Sequence, residues 1–308
     1  MTSMPFSAAL AVSLAATVLW AVFPVAIALG AGSGAVSGGP GFAAALNLAG
    51  GAVCLLAGGS RSARRAVRSV LGTPRDVGLF LVNAVAIAVS NAFAYAAFVT
   101  GPDVTAALVL EGWPILAALI LPLCVPGYTR WTTARLPALV LMIAAVLVLH
   151  PPGSGAPFAA FAFAVAAALM QVVTVVAHQR LVHGRLAELG GAGLIHLQGV
   201  RMLTAGAIAG AVAMIYDGDI VSALSVWVLL AGGLVAASAI LTAVALEAAR
   251  HPLLIAAWVA APAITVVALA GLGLGTLTPS ALLALACVIG AFVWDQIVTR
   301  RLVRARRG

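Results

Sequence analysis

The chain has 308 residues, of which 64% are hydrophobic and 8% are charged, with a formal net charge of +8 and a mean hydropathy of +1.18. About a quarter of the residues in an ordinary soluble domain are charged, so this composition excludes that class and predicts an integral membrane protein. The positive charge comes from arginine alone, because the chain contains no lysine. A phosphate-binding loop of the Walker A type, which needs a lysine, is therefore excluded.

Apolar stretches long enough to cross a bilayer follow one another along the chain. A hydrocarbon core of about 30 Å needs about 20 helical residues, and these stretches are too continuous for the alternating strands of a barrel. We therefore predict an all-α integral membrane protein with ten transmembrane helices, over residues 7–29, 41–58, 77–100, 103–125, 135–150, 156–178, 191–215, 223–248, 250–273 and 279–298.

Arginines mark one side of the predicted membrane. Five lie between the second and third spans and five in the tail, residues 300–308, whereas the loops after odd-numbered spans lack basic residues and carry Asp103, Asp217 and Asp219. By the positive-inside rule, both termini are cytoplasmic in a multi-pass protein of the cell (inner) membrane. We expect the basic tail to contact anionic lipid rather than nucleic acid.

Ten spans with both ends inside divide into two sets of five, of which the second must insert upside down. Such inverted repeats are typical of transporters. We predict a first repeat over residues 1–152, a second over 153–299, and a basic tail. Pro114 and Pro262 fall in the fourth helix of each half, where a proline frees a carbonyl and kinks the helix. One such kink can simply reflect packing, but the pair indicates gating or kink positions at a central cavity.

Three segments resemble the drug/metabolite transporter superfamily, EamA type. They are TVLWAVFPVAIALG (17–30), LVLEGWPILAALILPLCVPGYTRWTTARLPALVLMIAAVLVL (108–149) and AAWVAAPAITVVALAGLGLGTLTPSALLALACVIGAFVW (256–294). Within the family, Trp113-Pro114 and GPGFAAALNLAGG most resemble the branch that exports aromatic and other amino acids. The resemblance implies ten helices around a basket-like central cavity and export of a small metabolite.

The chain departs from the family at positions that bear on the substrate. Glu111 stands where related sequences often have an aromatic or apolar residue. Asn47 stands where family members often have an arginine, and Arg201 looks like the counterpart of that arginine in the second repeat.

Glu111 and Arg201 are the charges that lie deep in predicted spans. A charge at the bilayer centre costs about 2.5 to 3.5 kcal/mol, so both side chains must face protein or water. They can pair with each other as a structural salt bridge. Alternatively, Glu111 binds a substrate ammonium or a transported proton and Arg201 binds a substrate carboxylate. Asp295 lies near a cytoplasmic end, where pairing with Arg250 or tail arginines explains it.

Other polar and aromatic residues are candidates for the substrate site because they share helix faces or lie deep in spans. A polar stripe lines a cavity or serves as interhelical hydrogen bonding, worth about 0.6 kcal/mol per bond. Deep tryptophans form an aromatic wall or pack between helices. The candidates are Asn83, Asn91 and Tyr95 in span 3, Gln171 in span 6 beside Thr174 and His178, and Trp20, Trp113 and Trp258.

No sequence motif indicates catalysis. The five histidines have no metal-ligand grouping, and neither H-E-x-x-H nor G-x-S-x-G occurs. We predict no metal, no cofactor and no enzymatic activity, but a monomeric secondary transporter that exports an amino acid or amine by alternating access. Its partners are a small-molecule substrate and the lipid bilayer, not nucleic acid. The alternatives are a carrier of drugs, nucleobases or vitamins, a membrane-embedded enzyme, and a receptor or scaffold.

Overall fold

A computed structural model describes residues 5–32, 38–101, 103–125, 131–150, 158–216, 225–249 and 258–305, and α-helix accounts for most of them. No β-strand occurs in these ranges, so the all-α prediction is confirmed. Residues 250–257 of the predicted ninth span, the loop with Asp217 and Asp219, and tail residues 306–308 lie outside the described part.

Twelve α-helices form the described bundle. They are α1 Phe6–Gly32, α2 Gly39–Gly58, α3 Arg61–Val70, α4 Pro74–Thr100, α5 Asp103–Leu110, α6 Trp113–Cys124, α7 Leu136–Leu149, α8 Phe158–Val182, α9 Leu186–Tyr216, α10 Val226–Ala249, α11 Ala261–Gly271 and α12 Pro279–Ala305.

Eight helical stretches in these ranges are long and apolar enough to cross a membrane, and α5 with α6 makes one of them, Val104–Cys124. The predicted fifth and ninth spans correspond to shorter apolar helices, Thr133–Leu149 and Trp258–Gly271. The structure therefore supports a multi-pass helical membrane protein, and the count of ten spans stays a prediction.

Helix α3 is not among the predicted elements, because its four arginines are typical of a cytoplasmic loop. Ser60 caps its start by accepting a hydrogen bond from the Ala63 amide at 3.2 Å. One face is buried through Ala63, Val67 and Val70, and the arginines of the other face are exposed. The apolar residues recur at spacings of three and four, the pattern of an amphipathic helix.

The bundle is built from helix pairs distant in sequence. The most extensive packing joins α1 with α10, α2 with both α9 and α10, α4 with α8, and α7 with α12. Glycines permit some of the close crossings: a Cβ on Gly232 of α10 would lie 2.5 Å from the Leu46 carbonyl oxygen of α2. Small residues allow backbones to approach where lipid gives no hydrophobic driving force between helices.

A buried ion pair joins α7 to α12. Arg135 donates through Nη1 to Asp295 Oδ1 at 2.8 Å and to the Ala118 carbonyl at 2.7 Å, and through Nη2 to Thr299 at 3.1 Å. The two charged side chains are only 1% and 5% exposed. Within the described residues Asp295 therefore pairs with Arg135, whereas the sequence suggested Arg250 or a tail arginine.

Candidate functional site

The predicted fourth span is broken at its acidic residue. Helix α5 ends at Leu110 and α6 begins at Trp113, so Glu111 and Gly112 form a turn between two half-helices. The Glu111 amide still donates to the Ala107 carbonyl at 2.8 Å, and the Gly112 amide donates to the Val109 carbonyl at 3.2 Å. Membrane proteins tolerate such a break inside a span where protein or a cavity surrounds the backbone.

Gly112 and Pro114 explain where the break lies. A Cβ on Gly112 would come within 2.9 Å of the Met142 side chain of α7, so only glycine fits there without displacing that side chain. Pro114 occupies the first turn of α6, where its missing N–H has no helical acceptor to lose. The proline thus starts a second half-helix instead of kinking a continuous one.

The ninth predicted span has a comparable arrangement. Residues Trp258 to Ala260 form a 3-10 turn, and α11 begins at Ala261 with Pro262 in its first turn. Both predicted kink prolines therefore stand at the start of an apolar helix, directly after a tryptophan-bearing segment.

The Glu111 carboxylate lies at the centre of this arrangement and is 2% exposed. Its Oε2 accepts a hydrogen bond from Trp20 Nε1 of α1 at 3.2 Å. Its Oε1 is buried and has no hydrogen-bond partner among the described residues, and the same holds for Nε1 of Trp113. Buried polar atoms without partners are uncommon, because each forfeits the hydrogen bonds it makes in water. The site therefore holds an unused acceptor and an unused donor.

Three tryptophans pack against one another, and one of them, Trp20, donates a hydrogen bond to this carboxylate. The ring centroids of Trp20 and Trp113 are 5.9 Å apart, those of Trp20 and Trp258 are 5.4 Å apart, and those of Trp113 and Trp258 are 6.2 Å apart. The rings are tilted or edge to face, the preferred geometry for aromatic contacts. We call Glu111 and these three residues the tryptophan cluster. Because Trp20 occupies one carboxylate oxygen, a ligand that bonds to both oxygens must displace that indole.

The α1 backbone is altered beside the cluster, a feature that the sequence reasoning missed. Pro24 lies inside α1 and has no N–H, so it cannot donate the usual helical hydrogen bond to the Trp20 carbonyl. Thr265 of α11 donates to the next carbonyl, that of Ala21, at 2.8 Å. The signal in the sequence was a proline four residues after a deep tryptophan.

Arg201 does not pair with Glu111. The ion pairs found among the described residues are Arg135 with Asp295 and Arg185 with Asp76. Arg201 is 8% exposed on α9, and its Nε has no partner in the described part of the chain. The structural salt bridge, one of the two alternatives for these charges, is therefore not formed.

The polar residues of α4 connect helices. Asn83 donates to the Thr174 carbonyl at 2.8 Å, Asn91 donates to Asn47 Oδ1 at 3.3 Å, and the Tyr95 ring stacks on Phe42 at 4.7 Å. These contacts fit the interhelical interpretation of the stripe.

Several atoms near these contacts keep hydrogen-bonding capacity. Asn83 Oδ1, Thr174 Oγ1 and His178 Nδ1 are buried without a partner among the described residues. Gln171 is half-buried on α8 and makes no hydrogen bond to another described residue. No described hydrogen bond joins Asn83, Asn91 or Gln171 to the tryptophan cluster.

No group of three or more histidine, cysteine, aspartate or glutamate side chains in the described ranges could hold a metal ion. The three cysteines are free thiols.

Comparisons with known proteins inform the fold alone. No family model and no curated protein matches the chain. Among twelve matching chains of solved structures is one described only as a crystal structure of a protein. It is 21% identical, with a TM-score of 0.63 over 96% of this chain and 100% of that chain. The chain therefore shares its overall fold with a solved protein along nearly its whole length.

Proposed function

We propose that the protein is a secondary transporter of the drug/metabolite type that exports a small metabolite with an ammonium group, an amine or an amino acid. The observation that carries the proposal is Glu111, a carboxylate that is 2% exposed at a break between two half-helices. An ionisable residue inside a membrane-spanning segment is costly and usually marks a substrate or ion pathway. The motifs that resemble the EamA type surround this residue.

The chemistry of the tryptophan cluster suits a cation. One Glu111 oxygen has no hydrogen-bond partner in the described residues, and the other has only Trp20. An ammonium group can donate to both oxygens once the Trp20 indole moves aside. Cation–π attraction to a tryptophan face adds about 0.5 to 2 kcal/mol. The ring faces also offer an apolar wall to the rest of the substrate.

Arg201 is the candidate for the carboxylate of an amino-acid substrate. It carries no ion pair in the described structure, so its charge is available to an anionic group. The amine and amino-acid alternatives thus differ in whether Arg201 is needed.

The packing pattern supports two inverted five-helix repeats, residues 1–152 and 153–299. Counting ten spans, α1, α4, α8 and α10 are the first, third, sixth and eighth. In two five-span repeats, each span corresponds to the span five places away in the chain. The pair α1 and α10 therefore corresponds to the pair α8 and α4, and both pairs pack extensively. In the pairs α2 with α9 and α7 with α12, each helix packs against its own counterpart in the other repeat. In such folds, transport proceeds by rocking one repeat against the other around a central site.

The proposed orientation places both termini in the cytoplasm of a cell (inner) membrane protein. It rests on the arginine distribution, which puts α3 and the basic tail on one side. Transport is then driven by a gradient or by exchange and is independent of ATP. A single chain is enough for this scheme, with no cofactor.

Counterflow in vesicles that contain only the purified protein and no ATP tests the proposal. Vesicles preloaded with an unlabelled amine should accumulate the same labelled amine, whereas the N-acetylated form of each compound should not exchange. The reason is that acetylation removes the cation and retains most of the apolar body. A panel of amines and amino acids, each beside its acetylated form, identifies the class. Strict dependence on ATP, or equal transport of both forms, would contradict the proposal.

A further inference from the structure

A basic groove lies at the end of the bundle that carries α3, away from the tryptophan cluster. It has a volume of about 360 Å³ and runs between α3 and α9. Cavities of about 300 to 1,000 Å³ are large enough to hold a small ligand or a headgroup. The groove is lined by Arg64, Val67, Arg68, Leu71, His196 and Val200.

The groove has positive charge without a described counter-charge. Arg64 and Arg68 are exposed, and no carboxylate of the described residues pairs with either of them. The two guanidinium groups lie one turn apart on the same face of α3, since they are separated by four residues. The α3 wall of the groove therefore attracts an anion.

The floor of the groove is apolar. Val67 is 5% exposed and belongs to a buried cluster with Val70, Phe80 and Leu197, against which Leu71 and Val200 pack. A free inorganic anion gains nothing from such a floor, whereas a lipid has both a charged headgroup and an apolar chain. The juxtaposition of arginines and an apolar floor thus matches an amphiphilic anion.

The helix that forms one wall is fixed to the bundle. Arg185, at the turn before α9, donates to the Val70 carbonyl at the end of α3 at 2.7 Å and pairs with Asp76 of α4 at 3.2 Å. Thr73 also bonds to Asp76, at 2.8 Å. The groove is therefore held between two elements whose relative position is set by hydrogen bonds, unlike a solvated run of arginines.

We propose that this groove binds the headgroup of an anionic phospholipid, with Arg64 and Arg68 on the phosphate and the first acyl carbons on Val67, Leu71 and Val200. An amphipathic basic helix at the end of a helical bundle lies at the membrane surface, where anionic headgroups are concentrated. The site does not depend on the transport proposal. A bound lipid would tie α3 and α9 together, and with them the ends of α2 and α4.

Native mass spectrometry of the purified full chain, titrated with phosphatidylglycerol or phosphatidylcholine, tests the site. The variant Arg64→Gln with Arg68→Gln should bind phosphatidylglycerol roughly 30-fold more weakly, because each basic residue near an anionic headgroup contributes about 1 kcal/mol. The matched control is Arg61→Gln with Arg65→Gln, which removes the same charge from exposed positions of the same helix outside the groove. It should retain most of the affinity.

A second variant tests the apolar floor without changing any charge. Val200→Phe fills the groove and should also weaken phosphatidylglycerol binding, while its melting temperature in phosphatidylcholine reports whether the fold is kept. Inorganic phosphate should not displace the lipid. Equal losses in the two double variants, equal binding of phosphatidylcholine, full displacement by inorganic phosphate, or normal binding by a folded Val200→Phe protein would each overturn the proposal.

Discussion

Glu111→Gln is expected to weaken binding of a transported amine about 30-fold or more, because removing one partner of a buried charge pair typically costs about 2 to 5 kcal/mol. Glutamine keeps the size of the side chain and can still accept the hydrogen bond that Trp20 donates. The change thus removes charge with little effect on shape. Equilibrium binding of a labelled amine to the purified protein measures the loss of affinity. The change in tryptophan fluorescence on binding is an independent measure of the same affinity.

The same variant should unfold at nearly the wild-type temperature. Glu111 has no ion-pair partner among the described residues, so its neutralisation leaves no cation stranded. If Glu111 neutralised Arg201 instead, the single variant would lose about 3 to 5 kcal/mol of stability and adding Arg201→Gln would restore it. Near-normal amine binding by a folded Glu111→Gln protein would show that the carboxylate serves packing alone.

Asp295→Ala is expected to destabilise the protein by about 3 to 5 kcal/mol, the usual cost of breaking a buried ion pair from one side. Arg135 is 1% exposed at its side chain and would lose its counter-charge. The pair also connects α7 to α12 and, through the Ala118 carbonyl, to α6. Chemical unfolding in detergent micelles, followed by circular dichroism, measures the difference.

Two further variants make the comparison specific. Asp76→Ala removes an acid from the pair with Arg185, whose side chains are 35% and 11% exposed. This variant should lose less stability than Asp295→Ala, because water screens the more exposed pair. The double change Arg135→Met with Asp295→Leu should recover most of the stability, since apolar residues often replace a buried pair without loss. Equal effects of Asp295→Ala and Asp76→Ala would contradict the assignment.

The lengths of the apolar stretches account for most of the fold prediction. Stretches of about 20 apolar residues have few structures available in a bilayer, since backbone groups there must bond within the chain. The predicted first span, 7–29, became α1 over Phe6–Gly32, and the third, 77–100, became α4 over Pro74–Thr100. The shorter helices near Thr133–Leu149 and Trp258–Gly271 are the positions where length alone was a weaker guide.

Local features that depend on other helices were not predictable in this way. Helix α3 was missed because its arginines resemble a cytoplasmic loop, although its small apolar face docks on α9. The sequence places Pro114 as a kink inside a continuous span, whereas Pro114 lies in the first turn of α6 after the interruption at Glu111. Similarly, the partner of Asp295 lies 160 residues away in the chain, a separation at which neither periodicity nor spacing identifies contacts.

The candidate site was predicted in part. Deep tryptophans and a lone carboxylate stood out because both are unfavourable or unusual inside an apolar span. The structure packs Trp20, Trp113 and Trp258 against one another, and Trp20 bonds to Glu111. The polar stripes did not join them. Helical periodicity places Asn83 and Asn91 on one face, but it does not say which neighbour that face meets.

Protection of Glu111 from a hydrophobic carbodiimide tests the central claim most directly, because this reagent modifies carboxyl groups in apolar surroundings and mass spectrometry locates the modified residue. A transported amine at saturating concentration should suppress modification of Glu111, whereas its N-acetylated form should not. Asp295, buried in its pair with Arg135, serves as the internal control and should respond to neither compound. Equal modification of Glu111 with and without a transported amine would contradict the claim that this carboxylate binds the substrate.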